Sequence, residues 1–156
     1  MVLGCHACSS QQSLATEWCQ KQESLHFSRP IPTRLTQMQP TPMQVIRHAI
    51  SRADLATIAT PQFGDMVKAV VDVSRGVMAI GAELHSDEEA ALLEEGSRQP
   101  DVWGINLYPG EVGDGFIEFD SMINIRPAQG NRSRGVEDEG LRARIRSVVA
   151  VLVSDA

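Results

Sequence analysis

Glu83 and His85 stand two residues apart in the string ELHSDEE, residues 83–89. On a strand, where side chains repeat every two residues, that spacing puts both on one face. A carboxylate beside an imidazole suits a metal pair, or a general base with the group that orients it. Glu83 and His85 are therefore the candidate catalytic residues. A plainer reading competes with this one. Ser86, Asp87, Glu88 and Glu89 make an acidic helix start, which complements the helix dipole, and His85 then only covers that helix end.

The second constellation is INIRPAQGNRSRG, residues 123–135. Arg126, Arg132 and Arg134 lie in a glycine-containing loop ahead of a helix, where guanidinium and backbone N–H groups suit a phosphate or carboxylate. Six of the eleven basic residues beyond position 42 fall between 126 and 146, against three acidic ones, so an acidic chain carries one basic patch. The plainer reading is a solvated loop and an exposed helix face, with Asp138, Arg142 and Arg146 at i, i+4 spacing. Pro127 lacks an N–H and breaks strand pairing, and Gly130 lets the chain turn back. Such a turn brings Arg132 beside Arg126, and two adjacent guanidinium groups need an anion between them. That anion is either a ligand phosphate or an internal carboxylate such as Glu118 or Glu83, the internal one being slightly favoured because buried arginine is nearly always paired. With Asn106 and Glu118, which alternation places on the same polar sheet face, Arg126 and Arg132 form the expected ligand-binding set.

A third group, Cys5, His6, Cys8, Cys19 and His26, has zinc-ligand chemistry, but its second half lacks the close spacing of a finger, and no metal site is expected. The chain has no phosphate loop, dinucleotide-binding glycine fingerprint, nucleophile elbow or helical zinc-protease motif. The identity of any cofactor is left open. All three cysteines precede residue 43, so the remainder offers no cysteine nucleophile.

The elements that must position these residues follow from periodicity. Ser51 is a good helix cap with Asp54 three residues on, and Pro61 and Gly64 end that helix near Thr60. Residues 66–73 and 76–84 alternate as a hairpin about Ser74-Arg75, with Val71 opposite Met78 and Ala69 opposite Ile80. Ser86 and Glu89 read as a capping box for a helix that carries Leu92 and Leu93 inward and ends at Gly96. Residues 102–108 and 115–126 read as a second strand pair, with Ile117, Phe119, Ile123 and Ile125 on the apolar side. Leu141, Ile145, Val148, Val149 and Leu152 form the stripe of a last helix over about 137–153. A short strand is expected over 44–49.

Residues 1–42 differ from the rest. They hold four of the eight prolines, at 30, 32, 40 and 42, and show no period, which predicts a disordered leader or upstream extension ahead of a single domain at 43–156. The opening residues lack the apolar stretch of a secretory signal, and a cytoplasmic setting is expected. The net charge of −6 argues against broad electrostatic binding to nucleic acid, and no apolar run is long enough to cross a membrane.

The strings ELHSDEE, WGINLYP and INIRPAQGNRS, within residues 44–153, resemble those of a family of small bacterial proteins of unknown function. The resemblance implies a domain beginning near Met43 and supplies no activity. The reading is thus an α+β fold: two antiparallel strand pairs and three helices in the order β-α-ββ-α-ββ-α. The helices pack on the apolar sheet face and leave the polar face partly open. Function divides into two classes. One is a binding or hydrolytic site for a small anionic molecule on the polar sheet face. The other is a regulatory or protein-interaction module whose arginines meet an acidic protein surface. Self-association is compatible with both.

Overall fold

The structure is a computed structural model that describes residues 42–155. The cysteine-rich segment and most of the expected leader lie outside the described residues.

The fold is α+β. Strands β1 (Gln44–Ile46) and β2 (Ile50–Ser51) lead into helix α1 (Arg52–Gln62). Then come β3 (Val67–Asp72), β4 (Val77–Ile80) and helix α2 (His85–Glu94). Strands β5 (Val102–Leu107) and β6 (Ile117–Glu118), helix α3 (Glu139–Leu152) and β7 (Val153–Ser154) complete it. The main sheet runs β1-β4-β3-β5-β6 and is antiparallel throughout, so the two expected strand pairs are joined through β3 and β5. A two-stranded parallel pair, β2 with β7, ties the start of the domain to its end.

Local chemistry explains the boundaries. Ser51 Oγ accepts from the Asp54 amide at 3.1 Å and caps α1. Pro61 sits in the last turn rather than ending the helix, and that turn is closed by the Phe63 and Gly64 amides on the Ala59 carbonyl, at 3.0 and 2.9 Å; Gly64, at φ 88°, makes the reversal. The β3–β4 register is the expected one, with Ala69 opposite Ile80 and Val71 opposite Met78. Its turn spans four residues, though, because Asp72 is buried and its Oδ1 accepts from the Ser74 amide and hydroxyl and the Arg75 amide. Asp138 caps α3 through the Leu141 amide.

Two parts of the expected layout are corrected. Helices cover both sheet faces. The α1 residues Leu55 and Ile58 and the α3 residues Ile145 and Val149 pack on Val67, Ala69, Val71, Ile80, Ile105 and Leu107. On the opposite face Leu92 of α2 packs on Val70, Val77, Ala79 and Val102. That face carries its own apolar patch, worth roughly 1.5–3 kcal/mol per fully buried side chain, and only its end near Lys68 and Asn106 stays polar.

The expected strand over 115–126 is also shortened to Ile117–Glu118. Ser121 Oγ accepts from the Ile123 amide and starts a 3-10 turn at Met122–Asn124. The chain still stays against β5, because the buried Asn124 side chain replaces a strand partner. Its Oδ1 accepts from the Gly104 amide and its Nδ2 donates to the Gly104 carbonyl, both at 2.9 Å. Ile125 is left exposed, which no strand alternation would give.

Gly104 permits this contact. A Cβ built there would lie 2.5 Å from Ser121 Oγ and 2.6 Å from Ser121 Cβ. Gly104→Ala is therefore expected to destabilise the protein by about 1–3 kcal/mol through overpacking. Denaturant unfolding of the full chain measures it, and an unchanged midpoint would show that the 121–124 turn moves aside freely.

Candidate functional site

The polar end of the sheet face becomes a cavity of about 440 Å³ between β3, β5, β6, the start of α2 and the 121–124 turn. Its wall includes Lys68, His85, Asn106, Tyr108, Glu118, Asp120 and Arg134.

His85 enters as the first residue of α2. Strand β4 ends at Ile80, and Gly81, at φ 94°, redirects the chain. Glu83 and His85 therefore do not leave a strand on one face. Glu83 is exposed, and its carbonyl accepts from Lys68 Nζ at 2.8 Å. The helix N-cap is Leu84, with no side-chain cap bond, so Ser86 and Glu89 form no capping box.

His85 is buried, and its Nε2 lies 2.8 Å from the Ile105 carbonyl. A carbonyl only accepts, so Nε2 carries the proton. Burial pushes the imidazole below its ordinary range, helped by the Lys68 charge and opposed by the Ile105 carbonyl, Asp120 and Asn106. The ring is consequently neutral at neutral pH, with Nδ1 a bare acceptor.

Asn106 sits beside it on β5, only 6% exposed. Its Nδ2 donates to Glu118 Oε2 at 2.7 Å, which sets the amide orientation. Asn106 Oδ1 is buried without a partner among the described residues. The Asn106 side chain favours a protonated His85, as an amide oxygen near the ring does, but a neutral ring with its proton on Nε2 offers that oxygen nothing. Tyr108 donates its hydroxyl to Glu118 Oε2 at 3.1 Å; burial raises the phenol, and Glu118 raises it further. Arg134 binds Asp120 through two nitrogens, each at 2.7 Å.

Three of the six expected site residues thus line one cavity: His85, Asn106 and Glu118. Arg126 and Arg132 do not. Arg126 is buried elsewhere. Its guanidinium donates to the carbonyls of Ile123 at 2.8 Å and Gln99 at 2.6 Å and to Glu89 Oε1 at 2.9 Å, and it lies over Trp103. The internal carboxylate is therefore Glu89, not Glu118 or Glu83. Arg132 is exposed, and its backbone N–H donates to Glu137.

The loop between them is organised by Asn131. Its Nδ2 reaches the carbonyls of Asn124, Ser133 and Gly135, and its Oδ1 accepts from the Glu137 amide. Gly130 takes the left-handed conformation, at φ 85°. Most of INIRPAQGNRS is scaffold.

Sequence reasoning did not assign Lys68, Tyr108 or Asp120 to a site, and it named Arg134 only in the basic loop and not beside Asn106 and Glu118. It also missed Glu88, which is fully buried on α2, three residues after His85. Glu88 Oε1 accepts from the Ala82 amide, Oε2 has no partner among the described residues, and burial raises its carboxyl from 4.5 to about 8. Its position four residues before Leu92, on the inward stripe, was the available signal.

A larger hollow of about 610 Å³ lies between Trp103 and the start of α3. The buried side chains on its wall are satisfied: Trp103 Nε1 donates to the Pro100 carbonyl, and Asn131 is bonded at both ends. Among the described residues no cluster of three or more His, Cys, Asp or Glu side chains could hold a metal ion, and no helix is long and apolar enough to cross a membrane.

Fold and site together define a small α+β domain with a polar cavity at one end of a two-sided sheet. Residues 44–152 match a family described as a protein of unknown function, DUF5674, and the chain belongs to that family. Comparison with curated proteins and with solved structures found no match.

Proposed function

We propose that the domain binds a small molecule in the cavity beside His85. The observation that carries this reading is the pair of uncommitted acceptors on its wall. Asn106 Oδ1 is buried with no partner among the described residues, and His85, held by the Ile105 carbonyl, keeps its proton on Nε2. A buried acceptor without a partner costs about 1–3 kcal/mol, and a ligand that donates to it recovers that cost. Hydrolysis gains less support. His85 could take a proton from water, but the donors that would polarise an electrophile are engaged, Arg134 by Asp120 and Lys68 by the Glu83 carbonyl.

The interaction-module reading draws on the cavity rim, where Leu84 is 55% and Met122 65% exposed. Single exposed apolar residues are ordinary, so convergence of polar groups in a concavity weighs more.

Nitrogen-detected NMR of the full chain tests the proposal. The His85 ring should show a protonated Nε2 and a bare Nδ1 at neutral pH, with its titration midpoint below 6.5. Hits from a fragment library should shift His85 together with the Asn106 and Ser121 amides. A ring already protonated at neutral pH, or hits scattered over other surfaces, would sink the reading.

A further inference from the structure

The polar groups of the cavity are unbalanced, and the imbalance specifies a ligand. Both of its cationic side chains are engaged internally. Arg134 is held by both oxygens of Asp120, while Lys68 donates to the Glu83 carbonyl and lies over the Phe63 ring. The Asn106 amide nitrogen and the Tyr108 hydroxyl both serve Glu118 Oε2. Around Asn106 the uncommitted groups are acceptors, Asn106 Oδ1, the unprotonated nitrogen of His85 and the second oxygen of Glu118, while the Lys68 ammonium keeps further N–H donors and the Ser86 and Ser121 hydroxyls also line the wall. Above them the wall turns apolar, with Met66, Leu84 and Met122.

We propose that the cavity takes a primary alkylammonium, with its head among Asn106, His85 and Glu118 and its aliphatic chain along Met66, Leu84 and Met122. This rests on the cavity being a ligand site. An ammonium group carries three N–H donors and no acceptor, which matches the three acceptors around Asn106. The wall charges cancel, Lys68 against Glu118 and Arg134 against Asp120, so a cation meets no net positive field. A carboxylate or phosphate would instead face Glu118 and Asn106 Oδ1, acceptor against acceptor. A polyhydroxylated ligand could satisfy the floor, but its outer hydroxyls would meet the apolar rim. The volume suits a small molecule rather than a large cofactor.

The test is a titration of the isotope-labelled full chain at constant ionic strength with four probes: n-butylammonium chloride, n-butanol, sodium butyrate and inorganic phosphate. Butylammonium should give saturable amide shifts at His85, Asn106 and Ser121, while butyrate and phosphate leave those amides unmoved. Glu118 is exposed, so Glu118→Gln should fold, and it should weaken butylammonium binding about tenfold or more by removing a charge-assisted bond. If butyrate, phosphate or butanol binds there as tightly as butylammonium, the ammonium proposal fails and the ligand site stands. If folded E118Q binds butylammonium like the wild type, the proposal fails in the same way. If no probe moves the cavity amides, both fail.

Discussion

Arg126→Ala is expected to cost about 3–5 kcal/mol of stability, the usual cost of breaking a buried ion pair by removing one partner. The Arg126 side chain is 5% exposed and that of Glu89 17%. Truncation strands the Glu89 carboxylate and also leaves the Ile123 and Gln99 carbonyls without their donor. The flat guanidinium over Trp103 is lost as well, which removes packing along with charge. Glu89→Gln is expected to cost less, because an amide oxygen can still accept from Arg126 where the carboxylate did. Denaturant unfolding of both variants, compared at unchanged m, measures the effect. A loss below about 1 kcal/mol for Arg126→Ala would mean that the pair is screened like a surface one. Phosphate should protect neither the variant nor the wild type, since no arm of Arg126 remains for a ligand.

Glu88 carries the second large effect, and it reads out in pH. Its folded pKa is raised to about 8 from 4.5, because burial disfavours the charged form. Below 4.5 the group is protonated in both states. Between 4.5 and about 8 the folded state holds a proton that the unfolded state has released, so stability falls as pH rises through that window and levels off above it. The full loss is on the order of 5 kcal/mol at most. His85 acts in the opposite sense. Its lowered folded pKa makes stability present above 6.5 and lost as pH falls below it. Glu88→Gln removes only the first component. Its stability should exceed that of the wild type increasingly from weakly acid to alkaline pH, as measured by denaturant midpoints across the range. Parallel curves for the two proteins would show that Glu88 is ionised in the fold.

The two large effects differ in how far the sequence announced them. Arg126 stood out because a charged residue next to isoleucines and a proline has a defined place, and the need for an internal carboxylate followed from burial. The partner could not be read, because Glu89 lies 37 residues away on α2, and only helix packing brings it there. Glu88 hid inside an acidic run that looked like a solvated helix start. The same ELHSDEE string holds an exposed Glu83, a buried neutral His85, a buried Glu88 and a salt-bridged Glu89. Helical phase relative to the sheet, not composition, sorts them.

By itself the sequence determined the α+β class, the caps at Ser51 and the ends at Gly64 and Gly96, the β3–β4 register and the inward stripe of α3. These depend on contacts between residues close in the chain or on a period that one apolar face enforces. It also placed Asn106 and Glu118 on a common polar face, and the structure pairs them across β5 and β6. Tertiary structure decided the rest. It put α2 on the second sheet face, because Val70, Ala79 and Val102 there are apolar without breaking the period-2 pattern. It ended β6 at Glu118 and let the Asn124 side chain take over the pairing at Gly104. It turned a basic loop into a scaffold and left the cavity to residues from five separate elements. Each of these choices depends on which buried polar group finds a partner across long sequence separations, and a single buried bond of that kind outweighs the local preferences that a sequence displays.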